Sequence, residues 1–460
     1  MATHIRLRGS SRKGGFFKMF FLALATTAGL ALAVVAFLLF EFEKPTLVLD
    51  KQIKYLGGRI ELPLHATDNK SGISAVIITL AQGDKSATLL ERTFPRAAWF
   101  KPAGPQSLNE KVVIDAQKAG IKEGDAELII LVRDFSLNGL FKGNRTLTRI
   151  PVTMDTVPPK VALVHGQRVI QPGGSGMALY TVAELPARHG VLIDNVFFPG
   201  FATGKNNTYV AYFALPWDAG QPEKTRIVAY DEAGNEGTAP FAAVFKPVPD
   251  KRDSITISEQ FLLQKMPEFE QHYPEMQGTG TLVEKYLYVN NQIRRNNAEA
   301  IAKVCAATDP QQLWSDRFLR MPGSGRAGYA DQRTYLYNGT AIDTQTHLGV
   351  DIASLERAEI RAANRGKVVF ADYLGIYGNM VIIDHGQGIA SLYSHLSSID
   401  TTVGTLVEKN QPIGRSGATG MAGGDHLHFS MLVHGIFVTP IEWWDQHWID
   451  VNIKSAFNES

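Results

Sequence analysis

Cysteine is nearly missing from this chain: Cys305 is the single one in 460 residues. No intramolecular disulfide can form, so any part outside the cytoplasm must be held by its cores. Cys305 lies in Ala-Ile-Ala-Lys-Val-Cys-Ala-Ala and reads as a buried structural thiol, since Lys303 is the one cation close to it in sequence. An excess of one charge is missing too. Lys and Arg number 46 against 45 Asp and Glu, and the net charge of +1 gives no reason to expect nucleic acid as a partner. A composition that is 45% hydrophobic and 20% charged excludes extensive disorder. The length calls for two to four domains rather than one core.

Long apolar runs are scarce as well. Met19 to Phe40 is an uncharged, predominantly apolar stretch of 22 residues, enough to span a bilayer as a helix. Arg6, Arg8, Arg12, Lys13 and Lys18 precede it, and Glu41 and Glu43 follow. The positive-inside rule then puts residues 1–18 in the cytoplasm, residues 19–40 in the membrane and the remainder outside. A cleaved signal peptide is the competing reading. The run ends Phe-Leu-Leu-Phe-Glu, a poor cleavage site, and Ala31-Leu-Ala33 lies too deep inside it, so a retained single-pass anchor is preferred.

From 45 to 250 amphipathic helices are lacking. Short alternating runs such as Val112–Asp115, Ala126–Val132, Lys160–Val164 and Thr225–Tyr230 read as strands between Gly-, Asp- and Asn-rich turns. Two β-sandwich modules are expected, 45–155 and 156–250, divided near Val157-Pro158-Pro159. A weak repeat supports the division. Leu131-Val-Arg-Asp134-Phe-Ser-Leu-Asn138 corresponds to Val228-Ala-Tyr-Asp231-Glu-Ala-Gly-Asn235, each a strand ending in Asp-x-x-x-Asn. The arrangement resembles bacterial immunoglobulin-like modules, and the Asp residues read as turn stabilisers rather than calcium ligands.

Residues 253–320 switch to a helical pattern. Thr281-Leu-Val-Glu284 is a capping box, Asp309-Pro310 opens a further short helix with Leu313, Trp314, Phe318 and Leu319, and Pro267, Pro274 and Gly278–Gly280 break the segment up. From 321 to 448 the chain turns β-rich, with strands at Gly366–Ala371, Met380–Asp384 and Ile389–Tyr393, and 449–460 forms a tail. The expected architecture is mainly β: a transmembrane helix, two sandwiches, a helical linker and a C-terminal β domain.

Seven of the twelve histidines follow residue 340, and three motifs there share one chemistry: His347-Leu-Gly-Val-Asp351, Tyr393-Ser-His395-Leu396 and Asp425-His426-Leu427-His428-Phe429. Two imidazoles and a carboxylate can hold a zinc ion and leave a fourth position open for water. On a strand, His426 and His428 point to one side and Leu427 and Phe429 to the other. Taken singly, each motif fits a structural histidine; their concentration around one β-rich domain is what favours a site. A phosphate-binding role for Gly414–Gly424 is disfavoured because no Lys-Ser/Thr follows it. His385, His434 and His447 read as structural.

With those motifs and the Gly414-Arg-Ser-Gly417 stretch in this order, 321–440 resembles the LytM/lysostaphin-like zinc metallopeptidases of bacterial cell walls. The resemblance implies one Zn2+ held by His347, Asp351 and His428, with His426 and His395 as catalytic, non-ligand histidines. It leaves open which of the two is the base. It departs after Asp351, where Ile-Ala-Ser-Leu-Glu-Arg replaces the family's Pro/Gly-rich turn, and before His347, where Tyr329-Ala-Asp-Gln-Arg333 imperfectly matches a Phe-Gly-x-Arg pattern.

The function expected is zinc-dependent endopeptidase action on peptidoglycan cross-links, from the periplasmic face of the inner membrane, with protein partners for the β modules. Two alternatives stand beside it: a catalytically silent regulator of cell-wall amidases, and an envelope scaffold. The 253–320 segment is further expected to pack over the groove and restrain the enzyme.

Overall fold

The computed structural model describes residues 13–39, 41–49, 53–97, 102–115, 119–138, 142–278 and 280–458. Most of the expected cytoplasmic segment, residues 1–12, lies outside them. The described residues are mainly β, and the chain divides into two compact units, residues 1–158 with 232–235 and residues 159–231 with 236–460.

The first unit opens with the helix Lys13–Leu39. Its stretch Gly15–Phe37 has mean hydropathy 2.3 and buries nothing against protein, so it is long and apolar enough to cross a membrane. Two sheets follow. One pairs Thr46–Leu49, Arg59–Thr67 and Ser107–Asp115; the other orders Tyr55–Leu56, Arg145–Met154, Gly124–Asp134, Ile73–Gln82 and Lys85–Thr93. Val76, Ile78 and Leu80 face Val132, Ile130 and Leu128 across one ladder and are fully buried, the two-residue period of a sheet with one face inward. Asp134 performs turn duty: Oδ1 accepts from Ser136 N at 3.0 Å and Asn144 N at 2.6 Å, and Oδ2 from Asn144 Nδ2 at 2.9 Å. Its counterpart turn uses Asn235, whose Nδ2 donates to Asp155 O at 2.7 Å.

The second unit begins with two four-stranded sheets. One orders Phe201–Ala202, Thr208–Ala214, Ser175–Val182 and Val161–Gly166; the other orders Val196–Pro199, Arg188–Ile193, Thr225–Tyr230 and Glu236–Pro240. Every residue of Thr208–Ala214 is buried, which explains why Thr-Tyr-Val-Ala-Tyr-Phe-Ala shows no polar alternation. Tyr212 meets Trp443 of the C-terminal domain, and Trp314 of the stretch that leads into it, at ring-centroid distances of 6.4 and 6.3 Å, so this sandwich and that domain share a core.

Glu442 is buried at the same junction. Its Oε2 accepts from Ser175 N and Oγ, both at 2.9 Å, and its Oε1 from Gln171 Nε2 at 3.2 Å. Burial pushes its carboxyl up to about 7, against the pull of these donors. The protonated acid therefore stabilises the fold below its ordinary pKa, and that contribution is lost as pH rises through about 7. The unfolding midpoint of the wild type is expected to fall by about 2–4 °C between pH 5.5 and 8, and that of Glu442→Gln to fall less. Parallel slopes in differential scanning calorimetry would refute the assignment.

Strand Lys251–Thr256 runs parallel to Asp331–Tyr337, which pairs with Thr340–His347. Between them lie the helices Glu259–His272, Leu282–Tyr288 and Arg294–Val304, the last two joined through a π-helical turn, Val289–Ile293. Ser258 caps the first and the Thr281–Glu284 box caps the second, as their sequences require. Two expectations fail here. Pro267 lies inside the first helix rather than ending it. The carbonyl that loses its partner is that of Leu263, on the exposed face, while Leu262, Met266 and Phe269 hold the other face in the core. No helix follows Asp309-Pro310. Leu313 N, Phe318 N and Leu319 N donate instead to His385 O, Trp443 O and Ala363 O, so this stretch spends its donors on distant partners. Cys305 is buried, and burial pushes its thiol up to about 12.

The C-terminal domain is built on an eight-stranded sheet. Its main path runs Ser324–Ala327, Val350–Ala353, Leu427–Val433, Ile389–Leu396, Asn379–Asp384, Gly366–Tyr373 and Leu406–Val407. The chain end packs rather than trails: Trp443, Ile449, Ile453 and Ala456 are buried in the shared core.

Candidate metal centre

Asp351 and His428 stand directly opposite one another on adjacent antiparallel strands, and His347 ends the strand that leads into this pair. Their facing atoms form a triangle. His347 Nε2, His428 Nδ1 and Asp351 Oδ1 lie 2.9 Å from one another, and all three residues are buried. A tetrahedral zinc site with bonds near 2.0–2.2 Å needs ligand atoms about 3.3 Å apart, so this set fits with a few tenths of an ångström of adjustment. Among the described residues one other group of three ligand-type side chains converges, Glu41, Asp68 and Asp134 of the first unit.

Each imidazole of the triangle is oriented from behind. His347 donates Nδ1–H to Gly328 O at 2.7 Å, which leaves the Nε2 lone pair facing the triangle. Ser430 Oγ donates to Leu348 O at 2.8 Å and can accept from His428 Nε2–H at 3.1 Å, freeing His428 Nδ1. Asp351 turns Oδ1 inward, while Oδ2 accepts from Arg333 Nη2 at 3.1 Å. Burial opposes its charge, but His347 beside it and hydrogen bonds from the neighbouring histidines hold the carboxyl well below its ordinary value. Burial lowers His428 to about 4. Gly349 is required by space: a Cβ there would meet His428 Nε2 at 2.5 Å.

His426 and His395 stand next to the triangle. His426 donates Nδ1–H to Gly424 O at 2.8 Å, and its Nε2 lies 3.6 Å from Asp351 Oδ1. His395 donates Nδ1–H to Thr419 O at 2.9 Å. His426 Nε2 thus faces the Asp351 carboxylate, His395 Nε2 has no hydrogen-bond partner among the described residues, and the two ring centroids are 4.9 Å apart. Burial and the neighbouring His426 and His428 push His395 well below its ordinary value, whereas at His426 burial is outweighed by Asp351 and the net shift is upward. His395 sits at φ +64°, a left-handed conformation unusual for a non-glycine residue, and strain of this kind gathers at functional positions.

All five residues singled out in the sequence therefore meet in one place. His385 is structural, sealed between Arg365 O and Ser391 Oγ at 2.7 Å each. Several contributors were not singled out. Ser430 was legible, lying two residues beyond His428 on the same strand face. The others come from the helical segment. Gly420 N donates to Glu268 Oε1 at 2.6 Å and Lys265 Nζ to Ala418 O, so the helix Glu259–His272 holds the glycine-rich loop. A cleft of about 920 Å³ reaches the triangle, with this segment, through Phe261 and Arg295 among others, as one wall and Met421–Gly423 as another. The segment walls the cleft and does not fill it.

Residues 345–440 match Peptidase family M23, so the chain carries an M23, LytM-type, domain in its C-terminal part. The DD-carboxypeptidase/endopeptidase Mpg of Neisseria meningitidis is 37% identical over 95 residues, 21% of this chain and 22% of that protein. The murein hydrolase activator EnvC of Escherichia coli is also 37% identical over 95 residues, 21% of this chain and 23% of that one. The matches thus span about a fifth of these relatives' length. A crystal structure of a putative peptidase M23 from Pseudomonas aeruginosa aligns over 60% of this chain and 94% of that one, at 19% identity and a TM-score of 0.38.

Proposed function

We propose that this chain is a zinc endopeptidase that hydrolyses peptide cross-links of peptidoglycan from the periplasmic face of the inner membrane. The observation that supports it best is the triangle His347–Asp351–His428 with two further imidazoles beside it, each held through Nδ1 by a backbone carbonyl. His347, Asp351 and His428 would hold the zinc, which when bound supplies Lewis acidity and lowers the pKa of water towards about 7. His426 and His395 handle protons. Each is fixed in one tautomer by a backbone carbonyl, so a neutral ring presents Nε2 as an acceptor and a protonated one presents it as a donor. The M23 match and the endopeptidase among the relatives support the reaction class. The helix Lys13–Leu39 supports a membrane anchor.

The second reading, a silent activator of cell-wall hydrolases, is favoured by the similarity to EnvC. Every ligand and both non-ligand histidines are present here, which supports the enzyme. Zinc content measured together with digestion of purified sacculi separates the two. Zinc-bearing protein that releases cross-link cleavage products supports the peptidase; zinc-free protein that releases none refutes it.

The hydrogen bonds behind the triangle carry their own prediction. Ser430→Ala removes the acceptor that fixes the His428 tautomer, and zinc affinity is expected to fall about 10–100-fold. Competition with a chromogenic chelator measures it. Unchanged affinity would show that Ser430 does not orient the ring.

A further inference from the structure

Arginines outnumber carboxylates in the lining of the cleft that reaches the triangle. Arg294, Arg295, Arg326 and Arg333 line it, against Asp253 and Asp351 as the acids. Two of these arginines are spent on the protein. Arg294 donates from Nη2 to Asn290 Oδ1 at 2.6 Å and from Nε to Asn290 O at 3.1 Å, and Arg333 donates from Nη2 to Asp351 Oδ2 at 3.1 Å. Arg333 Nε nonetheless stays buried without a partner. Arg295 and Arg326 are exposed, and among the described residues no carboxylate lies within 4.0 Å of either guanidinium. A guanidinium left unpaired in a cleft beside a reaction centre suits a planar anion, which it can meet with two parallel hydrogen bonds.

The placement of Arg295 is built. The π-helical turn Val289–Ile293 precedes it, and such turns recur at functional sites. Asn290 and Asn291 from that turn both donate to Asp343 Oδ2, at 2.7 and 2.9 Å, and Gln345 Nε2 donates to Asn291 Oδ1 at 3.1 Å. Asp343 and Gln345 belong to the strand that ends at His347. The turn that launches Arg294 and Arg295 is thus tied to the strand that delivers a triangle residue.

We propose that Arg295 and Arg326, backed by Arg294 and Arg333, form a carboxylate-binding subsite of the cleft, which selects acidic stem peptides over amidated ones. The ligand class rests on the peptidoglycan reading above; the subsite itself rests on the arginines. The helical segment then contributes to substrate choice, a role the M23-matching residues 345–440 do not cover.

The test uses the full chain and two probes: a cross-linked tetrapeptide–tetrapeptide muropeptide dimer, and the same dimer with its free carboxylates converted to carboxamides. Binding by calorimetry and cleavage by chromatography are read separately. The wild type is expected to bind the free-acid dimer about tenfold more tightly than the amide. Arg295→Gln/Arg326→Gln should bring that ratio to within about twofold and leave the amide's affinity unchanged, since both side chains are exposed and the fold does not depend on them. Equal affinity of the wild type for both probes, no binding of either, or an equal loss for both in the variant would overturn the subsite. Selective binding without cleavage keeps the subsite and removes the endopeptidase reading; cleavage without selectivity does the reverse.

Discussion

His428→Ala is expected to purify with little zinc and to lose about 1,000-fold or more of its activity on sacculi. His428 occupies one corner of a triangle whose sides are all 2.9 Å, so removing it leaves two donors where three converge. Two donors do not hold zinc in a site with an open position, and the stabilisation lost is several kcal/mol. The fold should survive. His428 is buried, yet its neighbours Leu427 and Phe429 carry the packing on the opposite face of the strand. Zinc by atomic absorption, thermal unfolding and sacculus digestion on one preparation decide the matter. A folded His428→Ala that keeps stoichiometric zinc would mean that the ion sits elsewhere. The same substitution at His347 should behave alike.

The triangle was legible because its elements are local and periodic. His426 lies two residues before His428, bridged to Gly417 at the entry to the strand Leu427–Val433, and His347 and Asp351 are joined by a short Gly-containing link, so spacing alone aligns each pair. What brings the pairs together is the register of distant strands, in which Asp351 meets His428 across 77 positions of sequence. No periodicity carries that information; the resemblance supplied it. The strands of both sandwiches were legible for the same local reason, a two-residue alternation between turns. Thr208–Ala214 lacks alternation because the C-terminal domain covers its second face.

Failures came where tertiary partners replaced local rules. Asp309-Pro310 looks like a helix start, but the amides after it are claimed by His385, Ala363 and Trp443 carbonyls far along the chain. Pro267 looks like a helix end, but the buried face of Leu262, Met266 and Phe269 outweighs one missing hydrogen bond. The helical segment's role was illegible for a related reason. Its apolar positions announce only that it packs. That Glu268 and Lys265 grip the loop at Ala418–Gly420, and that Arg295 faces the cleft, depends on where it packs.

His426→Ala should retain zinc and lose about 100- to 10,000-fold in kcat/KM, the range for removing a positioned acid–base group. Retention is expected because His426 Nε2 lies 3.6 Å from Asp351 Oδ1, outside the 2.9 Å triangle, and its ring is held by Gly424 O rather than by the other three residues. His395→Ala should also keep zinc. If the two rings act as a unit, the double substitution will cost little more than the worse single one. The pH profile gives an independent check. Asp351 holds His426 above its ordinary value, and a cation on Asp351 would draw it back towards that value; burial lowers His428 to about 4. On lowering the pH, His426 therefore takes up its proton first and stops acting as an acceptor, while His428 still offers a lone pair. Activity is expected to fall before zinc is released, so rate and zinc content should separate on acidification. Rate and zinc content lost together would assign the acid limb to the ligands instead, and a rate constant down to pH 4 would remove His426 from the reaction, since His395 is held well below its ordinary value.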